Sequence, residues 1–425
     1  MVARCIESAN GPIDATFDAM PSKSATHRAL IAGALASGRS EIRGPLDAED
    51  TRRTLHGLRS LGIVVDEADR AWVVHGRGVI PGGGVLSLGA SGTSARFLLA
   101  LASVGGRPSV LDGSTRLRER PMDEVIVALR MLGASVTTSG PNLWPLRAGG
   151  SMVTGGSVVL SGERSSQFAS ALLLVGSSFE RGLRLEVAPP RVSFAYVRLT
   201  LEMLTAFGAV VTSEGDGRVS VPPQRLRGAT VAIEGDHSSA SYLFAAAAIL
   251  GGRVRVRGLR PDSAQPDARF LEALRSLGCR VGADDRGVLV ESSGRVPAFS
   301  WNLGDAPDLA PTAAVLALFA DGPCVLSGLQ HLTLKESDRL AALEHNLARL
   351  GAGVDVREGA LSIVPPPPPG PIGAPIRAMN DHRIAMAFAI AGLRIPGTTI
   401  DDPEAVAKSY PQFWKDFSGL ARTGS

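Results

Sequence analysis

The chain has 425 residues, more than one hydrophobic core usually organises, so two domains are expected. Its 44 Lys and Arg against 41 Asp and Glu leave a net charge of +3 with no basic run, which argues against a nucleic-acid protein; 44% hydrophobic and 20% charged residues exclude a disordered chain. Cys5, Cys279 and Cys324 are scattered and form no CxxC pair, so neither a zinc site nor a disulfide framework is indicated, and a reducing cytoplasm is expected.

The first twenty residues lack the apolar core of an export signal, and no apolar run approaches the length of a membrane span, so a soluble, unexported protein is expected. Along the chain, one helix type recurs six times: residues 22–38, 91–106, 165–177, 238–252, 307–322 and 380–397. Each copy opens at or near a Ser, Thr, Asp, Asn or Pro-Asp and runs into Ala and Leu on nearly every face, the pattern of a helix buried all round. A second, leucine-rich helix ends before Gly62, Gly133, Gly208, Gly278 and Gly351, at intervals of 70 to 75 residues. At each of these positions glycine can adopt the left-handed conformation that stops a helix before a strand. The chain therefore repeats one α/β unit of about seventy residues.

Six units in two domains predict three each, with strand segments such as AWVVHG and RVRVRGL as outer walls. Strands of the sixth unit are missing after Lys408, so the N-terminal stretch to about Ala19 is expected to complete it. The domains are then residues 1–19 plus 235–425, and residues 20–234. The run Pro365 to Pro369 reads as a stiff loop between strands.

A helix start is a ready anion site, because its N–H groups are unpaired and its dipole is positive there. Taken singly, the Ser and Asp residues at these starts are N-caps. Lys23, Arg28, Arg96, Lys335, Arg339 and Arg383 shift that reading. Cations at a helix N-terminus oppose its dipole, and their recurrence points to bound anions.

The motifs KSATHR (23–28), SGTSAR (91–96), RERP (118–121), SSQF (165–168), Ser193 with Tyr196, PDLA (307–310), KESDR (335–339), NDHR (380–383) and AKSYP (407–411) together resemble the EPSP synthase family over essentially the whole chain. The resemblance implies two similar domains, each of three βαβαββ units with buried parallel helices. It implies transfer of the enolpyruvyl group of phosphoenolpyruvate to the 5-hydroxyl of shikimate 3-phosphate, on the route to chorismate and aromatic amino acids, without cofactor or metal. It places shikimate 3-phosphate on Lys23, Ser24, Arg28, Ser165, Ser166, Gln167, Ser193, Asp308 and Lys335. Phosphoenolpyruvate falls on Lys23, Gly92, Arg120, Gln167, Arg339, Arg383 and Lys408, and proton transfer on Asp308 as base, Glu336 as acid and Lys23. A monomer that binds neither nucleic acid nor membrane, and that closes on its small-molecule substrates, is expected.

His382 is read as a polar residue of the site, Tyr196 as a ring beside shikimate, and Asp47, Glu49 and Asp50 as a surface or hinge cluster. The fourth helix has no assigned contact. Pro21, Ala90, Phe97 and His331 depart from the family's usual residues, and Ala90 and Phe97 bear on glyphosate sensitivity. Three other protein classes compete with this reading. The sister transferase acting on UDP-N-acetylglucosamine carries a loop cysteine near the position of Arg120, where this chain has none. An RNA-end processing protein would show a histidine nucleophile and a basic track. A non-catalytic paralogue would have lost Lys23, Asp308, Glu336 and Lys408.

Overall fold

A helix without a polar face is stable only when protein surrounds it. The computed structural model, which describes residues 3–139 and 143–422, contains six of these: Lys23–Leu35, Gly92–Ser103, Ser166–Gly176, His237–Leu250, Ala310–Ala317 and His382–Gly392. The fifth and sixth of these core helices have every residue buried, and the first is buried from Ala25 to its end. Small side chains let the backbone approach its neighbours. At Gly33 an added Cβ would already stand 3.3 Å from Val74.

The chain separates into two units, residues 1–20 with 235–425 and residues 21–234. The second holds the first three core helices and the first holds the other three. In most repeats a core helix connects two parallel strands. Val85–Ser87 and Ser109–Asp112 flank the second core helix and pair in parallel, and Leu146–Ala148 and Val136–Thr138 extend that sheet antiparallel. The third repeat (Gly156–Leu160 with Leu183–Val187) and the fifth (Ser300–Asn302 with Cys324–Ser327) follow the same plan.

The first and fourth repeats exchange their leading strands. Ile13–Asp18 precedes the first core helix in sequence, yet it pairs with Gly252–Arg257, the strand after the fourth. Thr230–Ala232 precedes the fourth core helix, yet it pairs with Ser37–Arg43, the strand after the first. The chain accordingly passes between units twice, at 20–21 and 234–235.

This corrects the expectation for the N-terminal stretch. Among the described residues of that stretch, only Arg4–Cys5 completes the sixth sheet, pairing with Thr399–Ile400, while Ile13–Asp18 serves the fourth. The physical reason is the parallel pairing itself: the strand after each core helix needs a parallel neighbour, and Ile13–Asp18 satisfies all six residues of Gly252–Arg257.

In the first five repeats the second helix ends as its glycine predicts. Gly62, Gly133, Gly208, Gly278 and Gly351 have φ between 80° and 94°. The following residue then donates back into the last turn, as from Ile63 N to Leu58 O (3.0 Å) and from Cys279 N to Leu274 O (3.1 Å). Cys5, Cys279 and Cys324 are unpaired thiols. No described helix is long and apolar enough to cross a membrane.

Candidate functional site

Within residues 21–234 the starts of the first three core helices are tied together by polar side chains. Ser22, Ser91 and Ser165 are their N-caps, accepting from Ala25 N, Ser94 N and Gln167 N. Lys23 Nζ stands 2.9 Å from Asp50 Oδ2. The carbonyl of Asp50 accepts from Ser94 Oγ at 3.1 Å, which links the first helix start to the second. Arg96 donates to Gln167 Oε1 (2.8 Å) and Gln167 Nε2 to Thr93 Oγ1 (3.0 Å), which links the second to the third.

Asp50 therefore leaves the acidic cluster in which the sequence placed it. Asp47 pairs with Arg52 and Glu49 lies 3.7 Å from Arg53, both at the surface, whereas Asp50 is buried against Lys23. The helix Glu49–Ser60 explains the difference, because its one-residue step turns Glu49 to solvent and Asp50 inward.

Arg28 is 2% exposed and its donors go to Thr200 Oγ1 (2.7 Å), Ser24 O (2.9 Å), Ser170 Oγ (3.1 Å) and Tyr196 O (3.3 Å). Its guanidinium lies 5.3 Å from the Phe97 ring centre. Tyr196 thus offers a carbonyl here. Burial pushes the Arg28 pKa down to about 10, so the group stays charged at neutral pH. Arg96, equally buried, meets the Gln167 amide and the Pro121 carbonyl, and burial followed by the neighbouring Arg120 depresses its pKa well below the usual value. Among the described residues, none of the hydrogen-bond partners of Arg28 or Arg96 is a carboxylate. Arg120, 8% exposed, reaches the Ala90 carbonyl and fills the space above Gly92, where an added Cβ would come within 2.5 Å of its guanidinium. Ser166 and Ser193 are buried, Ser193 with φ of 56° just before the helix Ala195–Ala206.

In the other unit the fifth and sixth core helices meet in an ion-pair network. Asp308 sits in the turn Pro307–Leu309 that opens the fifth. Its Oδ1 accepts from Arg339 (2.9 Å) and its Oδ2 from Arg383 (2.6 Å). Asp381, fully buried, caps the sixth helix through Arg383 N and also accepts from Arg339 Nε (2.7 Å) and Ser337 Oγ (3.0 Å). Burial opposes the charge on both Arg339 and Asp381, but their mutual attraction prevails, holding the arginine's pKa above and the aspartate's below the usual range.

Glu336 Oε2 lies 2.7 Å from Nδ1 of His382, and Lys408 Nζ donates to the Asn380 carbonyl. His331, 2% exposed, has its pKa pushed down to about 3, by burial first and then by Lys335 nearby. Glu336, Asp381 and His382 are close enough to ligate a metal ion together. Asp381, however, already accepts four hydrogen bonds beside the Arg339 guanidinium, a poor setting for a cation.

Sequence reasoning missed Asp50, Ser170, Thr200, Ser337 and Asp381 as parts of these networks. Ser170 was visible as a hydroxyl inside an otherwise apolar helix. Tyr242 was missed too: it stands on the fourth core helix with its pKa raised to about 12, burial outweighing the nearby Arg383 and Arg339. The start of that helix is satisfied internally, with Asp236 accepting from Ser239 N (2.7 Å) and Gln265 Oε1 from His237 N (3.1 Å).

Comparison with known proteins agrees with the fold. Residues 8–417 match the family model described as EPSP synthase (3-phosphoshikimate 1-carboxyvinyltransferase). The chain is 43% identical over 417 residues to the 3-phosphoshikimate 1-carboxyvinyltransferase of Methanoculleus marisnigri, covering 97% of this chain and 98% of that one. It is 41% identical to the enzyme of that name from Aeropyrum pernix, covering 97% and 94%. Its fold is similar to that of an EPSP synthase from Acinetobacter baumannii, with a TM-score of 0.82 at 28% identity over 99% of each chain. The enolpyruvyl transferase NikO from Streptomyces tendae shares the fold, with a TM-score of 0.79 at 19% identity over 98% of this chain and 97% of that one. With its repeats, its helix-start networks and a family match over almost its whole length, the chain belongs to the EPSP synthase family, the 3-phosphoshikimate 1-carboxyvinyltransferases.

Proposed function

We propose that the two networks are the substrate-binding and proton-transfer groups of this chain. As a member of its family, the chain transfers the enolpyruvyl group of phosphoenolpyruvate to shikimate 3-phosphate and releases phosphate. The observation that carries the residue assignment is the buried guanidinium of Arg28, whose hydrogen-bond partners among the described residues include no carboxylate. A buried charge without a counter-ion costs several kcal/mol, and a strongly anionic ligand offsets that cost.

Shikimate 3-phosphate is assigned to Lys23, Ser24, Arg28, Ser165, Ser166, Gln167, Ser193, Asp308 and Lys335. Phosphoenolpyruvate is assigned to Lys23, Gly92, Arg120, Gln167, Arg339, Arg383 and Lys408. Asp308 takes the proton of the 5-hydroxyl as that oxygen adds to C2, and Glu336 delivers a proton to C3. Glu336 then takes a proton back from C3 as phosphate leaves C2 and accepts the proton held by Asp308, which forms the enol ether and returns both carboxyls to their starting states. Both oxygens of Asp308 are engaged by Arg339 and Arg383, the same guanidiniums assigned to phosphoenolpyruvate. Phosphoenolpyruvate, taking over those donors, frees lone pairs on Asp308 for the incoming hydroxyl. The chain is proposed to act in the cytoplasm as a monomer on these small molecules.

Purified protein is expected to release inorganic phosphate only when phosphoenolpyruvate and shikimate 3-phosphate are both present. Release with UDP-N-acetylglucosamine in place of shikimate 3-phosphate would overturn the assignment.

A further inference from the structure

Arg28 on the first core helix is gripped by two hydroxyls from two other elements, Ser170 on the third core helix and Thr200 on the helix Ala195–Ala206. All three residues are almost wholly buried. Thr200 Oγ1 accepts from Arg28 Nε at 2.7 Å and donates to Ser170 Oγ at 2.9 Å, while Ser170 Oγ also accepts from the guanidinium at 3.1 Å. The two hydroxyls thus bond each other and the same arginine.

The chemistry of the clamp is selective. A carboxylate in place of either hydroxyl would hold the guanidinium at least as well, but it would neutralise the charge. A hydroxyl fixes the planar fork and leaves its charge for another anion. The Phe97 ring and the carbonyls of Ser24 and Tyr196 likewise orient without adding a negative charge.

We propose that Thr200 and Ser170 are positioning residues that aim Arg28 at shikimate 3-phosphate while leaving its charge available. The proposal rests on the reading of Arg28 as a contact of that substrate. Losing one hydrogen bond to a buried charged group corresponds to about a tenfold change in affinity or more.

The test is steady-state kinetics of the full-length enzyme with each substrate varied in turn. Thr200→Val, close in shape but without the hydroxyl, is expected to raise KM for shikimate 3-phosphate about tenfold, leaving kcat and KM for phosphoenolpyruvate within about twofold. Thr200→Ser is expected to restore it. An unchanged KM for shikimate 3-phosphate in Thr200→Val overturns the proposal, as does a loss in kcat and both KM values together, which a general packing defect would give. Arg28→Ala separates the two layers. If it leaves KM for shikimate 3-phosphate unmoved, the assignment of Arg28 itself fails. If it raises that KM while Thr200→Val does not, the assignment stands and the positioning role fails. Should Thr200→Val not fold, Ser170→Ala carries the same test with the same outcomes.

Discussion

At the scale of single residues, the geometry alters what some substitutions are expected to do. The resemblance sets Gly92 beside phosphoenolpyruvate, but the space where its Cβ would lie is filled by the Arg120 guanidinium. Because that group is the far end of a flexible side chain, Gly92→Ala should displace the arginine rather than the backbone. We expect about a tenfold rise in KM for phosphoenolpyruvate, weaker glyphosate inhibition and an unchanged melting temperature; an unmoved KM would remove Arg120 from the ligand set. Asp308→Asn and Glu336→Gln are each expected to lower kcat at least about a hundredfold, as loss of a general base or acid does. Near-normal turnover in either variant, measured by phosphate release, would take that residue out of proton transfer. Asp50 marks the limit of residue-level reading. Three acidic side chains lie within four positions, and only the turn of the helix separates the two that face water from the one that holds Lys23.

At the scale of elements, the repeat was legible because two local rules recur in it: an all-round apolar helix must be buried, and a glycine after a leucine-rich helix can stop it. Both are seen in every copy to which they were applied. The stop itself can be tested in isolation at Gly278, where an added Cβ meets nothing within 4 Å, so that only the left-handed φ of 85° is at stake. Gly278→Ala is therefore expected to lower unfolding stability by about 1 kcal/mol without changing kcat. Urea denaturation would check this; an unchanged midpoint would show that the backbone relaxes into a right-handed turn. The exchange of leading strands was not legible. Ile13–Asp18 and Thr230–Ala232 are short strands with no side-chain code for their partners, and parallel pairing depends on which strand edge lies alongside.

At the scale of the whole molecule, each unit buries a histidine that cannot be charged in place. His27 donates to or accepts from Thr54 Oγ1 at 2.8 Å, and its pKa is pushed down to about 3 by burial; His331 in the other unit is held similarly low. Unfolded, each takes up a proton near pH 6.5, which the folded chain refuses, so stability is fully present above 6.5 and is lost as pH falls toward 3. At pH 5 the loss is roughly 2 kcal/mol per histidine. Urea midpoints should drop between pH 7.5 and 5, and less steeply in His331→Asn; an identical slope in that variant would show that His331 titrates normally. By itself the sequence determined the number and kind of repeats, the buried helices, the glycine stops and the cationic character of the helix starts, since each follows from periodicity or from one residue's own backbone preference. Tertiary structure alone decided which strand completes which sheet, that Asp50 and Asp381 are counter-ions to particular cations, and that Arg28 rests on two hydroxyls. Those outcomes depend on distances between groups as far apart in the chain as Arg4 and Ile400, which no local pattern encodes.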